Sequence, residues 1–170
     1  FAVATTRLHL ARALDADGNS IAAQAQLQTR IDSLPLPSAQ DRTRQALDRR
    51  VQRVLATVEL AWFLIAHGRA AEALQTAQQA RAEVPVKTTV SWIHPSQQTL
   101  EVLVWSEIVS QRSEELASHW AAYDAVRRSG LAGERKVLVM EVDRAIVAQV
   151  LGDAGMQAQA NSGITEALSK

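Results

Sequence analysis

The sequence predicts an all-α protein of antiparallel helical hairpins, and three observations carry that prediction. One cadence occurs twice, as Gly18, Ala23 and Pro35 and again as Gly68, Ala73 and Pro85. In each, the glycine follows an apolar helical pattern and the proline closes a second one, so each stretch reads as two helices. Alanine supplies 30 of the 170 residues, and Gln and Arg are plentiful, which favours helix throughout. Apolar residues are 47% of the chain, enough to bury a sizeable core. A lone hairpin cannot bury its apolar face, so such units must stack on one another.

Taken in order, residues 4–17 place Leu8, Leu10, Ala11 and Leu14 at helical spacing, until residues 15–20 (DADGNS) break the helix. Asn19 or Ser20 caps a second helix through Ile21, Ala25, Leu27 and Ile31, which Pro35 and Pro37 terminate. Ser38 and Asp41 form an S-x-x-D capping pattern that opens a helical stretch over residues 39–67. It reads as one helix of about 43 Å at 1.5 Å per residue, or as two with a break near residue 52. Gly68 ends it, and an Ala/Gln-rich helix follows over residues 70–83. Residues 84–96 are β-branched, flanked by prolines and without helical period, and read as an extended connector carrying Trp92 and His94. Ser96 then caps a helix through Leu100, Leu103, Val104 and Ile108. A break near residues 110–113 precedes another through Leu116, Trp120 and Tyr123. The last pair spans residues 134–151 and 156–168, turning at residues 152–155 (GDAG).

Several function classes are excluded or disfavoured. Eighteen basic residues balance eighteen acidic ones, so no net charge draws the chain to nucleic acid or an anionic membrane. Without cysteine there are no disulfides or thiolate metal sites. No apolar run approaches the roughly 20 residues of a membrane span. The chain begins at Phe1 with no signal-peptide pattern, as expected of a processed form or an excised segment, and a cytoplasmic location is expected over a periplasmic one.

The spacing of Gly, small residue and Pro resembles the tetratricopeptide repeat, a helix-turn-helix unit of about 34 residues. Four units, over residues 4–37, 39–86, 96–130 and 134–170, place the whole chain in one repeat domain. Aligned on that pattern they start near residues 4, 54, 97 and 141, separated by 50, 43 and 44 residues, so the units are irregular and divergent. The third lacks both turn glycine and closing proline. The resemblance implies a right-handed superhelix whose first helices line a concave groove; a closed helical bundle is the competing architecture.

On that alignment Arg12, Trp62, Trp105 and Gln149 occupy equivalent groove positions, with Glu59 and Glu101 about a turn away. Two tryptophans in one register offer a platform for a peptide or flat ligand, or else pack between units. Some members of the family clamp a partner's terminal carboxylate with cations on their first helices. Of the corresponding positions here, only Arg12 suits that role. Arg42, Arg49 and Arg53 share one helical face, which suits an acidic partner or a solvated surface. None of His9, His67, His94 and His119 stands in an H-E-x-x-H or comparable pattern, so no metal site is expected. Glu107 and residues 113–115 (SEE) read as exposed carboxylates of ordinary acidity. Phosphate-loop, dinucleotide and nucleophile-elbow motifs are missing, and an enzyme is not expected.

The expected function is therefore a non-enzymatic protein or peptide scaffold, bacterial by its Ala/Gln/Arg usage. It needs no cofactor, contacts no nucleic acid directly, and is compatible with a homodimer. The alternative is a sensory or regulatory repeat segment of a larger signalling protein or LuxR-type transcription regulator that binds a small effector.

Overall fold

A computed structural model describes residues 2–34, 36, 43–85, 90–129 and 134–169. They form eight α-helices, with no strand among the described residues. These are α1 (Ala2–Ala16), α2 (Ser20–Asp32), α3 (Arg44–Ala66), α4 (Ala70–Ala82), α5 (Val90–Val109), α6 (Leu116–Ser129), α7 (Glu134–Leu151) and α8 (Ala154–Leu168). The all-α class is as expected, and among the described residues no helix is long and apolar enough to cross a membrane. Helices α1 and α2, α3 and α4, and α7 and α8 pack as consecutive pairs, with α2 also on α3 and α6 on α7. The chain divides into two compact units, Phe1–Ser106 and Glu107–Lys170, at a point inside α5 that no composition shift marks.

One backbone device ends α1, α3, α5 and α7. Gly18, Gly68 and Gly152 stand in the left-handed region at φ 81°, 70° and 67°, and Gln111 does so at 57°. After each, the next residue's N–H reaches back to the last full turn: Asn19 to Leu14, Arg69 to Leu64, Asp153 to Ala148 and Arg112 to Glu107, at 2.8–2.9 Å. This is the Schellman closure, which satisfies carbonyls that a helix end leaves bare. The corner after α5 keeps that geometry without the glycine that makes it cheap.

Helix starts follow side-chain caps. Asn19 accepts from the Ala22 N–H and starts α2. Thr43 accepts from the Ala46 N–H and starts α3, while Ser38 and Asp41 lie outside the described residues. Helix α3 runs unbroken through residue 52. The extended connector expected over residues 84–96 is corrected: α5 begins at Val90 and has Pro95 inside it. Trp92 and His94 are therefore helical, although the Trp92 side chain lies outside the described residues and His94 is exposed. Pro95 removes one helical hydrogen bond, but Pro95, Ser96, Thr99 and Leu100 are all buried, and that packing outweighs the local propensity.

In the first unit, alanines let helices approach closely: Ala23, Ala61, Ala73, Ala77 and Ala80 are completely inaccessible. Ala11, Leu27, Ile31, Ala56, Leu60, Leu64 and Ala73 make one core cluster across α1–α4. A second joins Val58 and Ala61 of α3, Ala77 and Ala80 of α4, and Val102 and Leu103 of α5. The arginine face is also corrected. Arg53 is no solvated residue: its guanidinium donates to the carbonyls of Ile31 (2.9 Å) and Leu34 (3.1 Å) and pairs with Glu83 (3.2 Å). It thereby closes the C-terminal end of α2, where a cation also opposes the helix dipole. Arg49 is exposed, and Arg42 lies outside the described residues.

The second unit is built differently. Leu116, Trp120, Tyr123, Met140, Val147, Ala148 and Ala160 are buried. The Trp120 and Tyr123 rings meet edge-on at 5.7 Å, with Arg127 over the Tyr123 face at 5.3 Å. Beside them Arg144 joins Glu141 (2.7 Å) and Asp124 (3.1 Å), and Arg128 reaches the same two acids. Gly163 of α8 leaves room for Glu141, whose Cγ would lie 2.7 Å from any added Cβ.

Candidate functional site

Three helices of the first unit enclose a cleft of about 380 Å³. Helix α1 contributes Leu8, Ala11, Arg12 and Asp15, which recur at three- and four-residue intervals and so share a face. Helix α3 contributes Glu59, Trp62 and Phe63 on the same principle, and Leu27 of α2 closes the floor. Ala11 and Leu27 belong to the rigid core below, so the apolar floor is fixed by packing rather than by loops.

The rim is charged. Glu59 is paired with Arg30, a buried arginine of α2. Burial pushes the Glu59 carboxyl above the ordinary carboxylate range, and the positive charges of Arg30 and Arg12 oppose that shift. Arg12 itself is exposed and makes no ion pair with a described residue. Asp15 is held by Nε2 of His67 at 2.8 Å, and the His67 ring packs on Phe63 at 4.3 Å between centroids. The cleft thus combines an aromatic and aliphatic floor, an acid paired with a buried arginine, and an exposed cation at its edge.

Of the residues singled out in the sequence, Arg12, Glu59 and Trp62 come together here. Glu101 and Trp105, both half-buried on α5, are not among the cleft's described lining. Gln149 is exposed on α7 in the other unit, and His94 is exposed near the start of α5. Val58, one turn from Trp62, belongs to the buried core.

Sequence reasoning missed a second constellation. Glu107, read as an exposed carboxylate, is only 3% accessible, and burial raises its pKa against the opposing hydrogen bond from His119. Nδ1 of His119 lies 2.7 Å from Oε1 of Glu107, and Glu115 completes a group whose ligand atoms are all within 4.8 Å of one another. The available signal was the four-residue interval from Glu115 to His119, which puts both on one helical face. The second unit also holds a cleft of about 490 Å³ bordered by Trp120, Asp124, Arg128, Arg144, Asp153 and Met156, where Asp124 pairs with both arginines and Asp153 caps α8.

No family model matches the chain, and no curated protein or solved structure matches it significantly.

Proposed function

We propose that this protein is a non-enzymatic binding scaffold of tetratricopeptide-like hairpins, stacked in a right-handed superhelix, and that the α1–α3 cleft receives a peptide side chain from a protein partner. The observation that carries this reading is the convergence of Arg12, Glu59 and Trp62 over an apolar floor. Support also comes from the recurrence of one helix closure at Gly18, Gly68, Gln111 and Gly152, as a repeated unit would have. The floor suits an aliphatic or aromatic anchor, and the exposed Arg12 suits a carboxylate beside it. A second reading, in which a small effector occupies the cleft, is favoured by its volume of about 380 Å³, within the range of small-molecule sites.

The test is selection of peptides from a displayed random library against the immobilised full chain, followed by titrations read in tryptophan fluorescence. Selected peptides should share an apolar residue next to an acidic one. Trp62→Ala should weaken them about thirtyfold, roughly the 2 kcal/mol of an interface hot spot. Arg12→Glu, at an exposed position, should weaken them while helicity stays unchanged. Selected peptides indifferent to both changes would overturn the reading. Enrichment of a small metabolite, with no peptide recovered, would favour the effector.

A further inference from the structure

We propose that Glu107, Glu115 and His119 bind a divalent transition cation. One ligand atom from each lies within 4.8 Å of the others. Two carboxylates with one imidazole form a mixed oxygen–nitrogen set, which suits Zn²⁺, Mn²⁺ or Fe²⁺ better than the all-oxygen preference of Ca²⁺. The backbone holds the three in place. Glu107 lies in the last turn of α5, where its carbonyl accepts from the Arg112 N–H at 2.9 Å in the closure around Gln111. The His119 N–H donates to the Glu115 carbonyl at 3.0 Å, so one helical turn joins those two ligands on a single face.

A structural Glu107–His119 hydrogen bond accounts for only part of this arrangement. Oε1 of Glu107 has its partner in His119, but Oε2 is buried with no hydrogen-bond partner. One carboxylate oxygen of Glu115 lies within 4.8 Å of the Glu107 and His119 ligand atoms, and Glu115 forms no ion pair of its own among the described residues. Two acids face one imidazole, so the buried carboxyl is neutralised either by a proton or by a cation that displaces it. A cation with bonds of about 2.0–2.2 Å separates tetrahedral ligands by roughly 3.3 Å, so loading requires the 2.7 Å contact to open by a fraction of an ångström. The exposure of Glu115 and the partial exposure of His119 leave an entry path from solvent.

Calorimetric titration of the chelator-treated full chain with Zn²⁺ tests the proposal, with Co²⁺ absorption as a second readout of ligand identity. One ion per chain and a raised melting temperature are expected. Glu115→Gln, at an exposed position that leaves folding intact, should weaken binding at least about tenfold, and His119→Ala should do the same. Both should alter the Co²⁺ spectrum, while His67→Ala should change neither readout. Absence of saturable binding would overturn the proposal. So would an affinity and spectrum unchanged in Glu115→Gln and His119→Ala, which would place the ion on another histidine.

Discussion

The two compact units solve the same packing problem with different materials. In Phe1–Ser106 the helices close on alanines and aliphatic side chains, and arginines such as Arg30 and Arg53 each tie one helix to another at the edge of an apolar core. In Glu107–Lys170 the apolar core is supplemented by a ring pair and by Arg144, Glu141 and Asp124, which are themselves largely buried. Alanine-mediated packing is tolerant of sequence but sensitive to added volume. A buried ion network tolerates neither the loss of one member nor a change in its charge.

The comparison is broken most directly by removing Arg144. Its side chain is 11% exposed, and its loss leaves Glu141 (8%) and Asp124 (21%) only the more exposed Arg128 (49%) as a cationic partner. Arg144→Ala should cost about 3–5 kcal/mol in chemical denaturation, with loss of amide protection in α7 and α8. The counterpart in the first unit is Leu27→Ala, which opens a cavity beneath the cleft and should cost about 2–5 kcal/mol. An Arg144→Ala variant as stable as the native chain would show that the ion network is incidental to the second unit.

That difference also explains what could be read from the sequence. Gly18, Gly68, Ala23 and Ala73 mark the first unit because left-handed turns and close crossings favour those residue types. Arg12, Glu59 and Trp62, which alignment on the repeat resemblance put in or near one register, line one cleft. Pro95 misled, because local propensity argued for a connector while burial of residues 95, 96, 99 and 100 held a helix. Glu107 misled more deeply. A glutamate on a helix is exposed by default, and only the tertiary position of His119 shows why this one is buried. Arg53 repeats the lesson, since its partners are backbone carbonyls that no side-chain pattern announces.

A pH titration sharpens the contrast within the first unit. Glu59 has a folded pKa above the ordinary 4.5, chiefly through burial, with Arg30 from α2 and Arg12 from α1 pulling the other way. The folded state therefore holds this proton more tightly than the unfolded chain. The associated stability is complete below about pH 4.5 and is lost as pH rises through the folded pKa. Glu59→Gln removes the titration, so the native chain should lose stability relative to this variant across that window in denaturant midpoints measured from pH 4 to 8. A difference that stays flat with pH would mean that the two arginines offset the burial completely.

The smallest effect separates the closures themselves. Gly68 and Gln111 serve the same role, at φ 70° and 57°, yet only the glycine adopts that region without steric cost. Space is open around Gly68, so Gly68→Ala tests backbone strain alone and should cost about 1 kcal/mol. Gln111→Gly should do the reverse and stabilise the chain by about 0.5–1 kcal/mol, since relief of the left-handed strain exceeds the added entropy of the unfolded backbone. Opposite signs at two positions with the same hydrogen bonds would establish that the corner after α5 keeps this closure against its own sequence preference. If Gln111→Gly instead destabilises, the Gln111 side chain contributes something that its backbone conformation does not explain. The fall in Zn²⁺ affinity that the same substitution then produced would locate that contribution at the neighbouring Glu107 site.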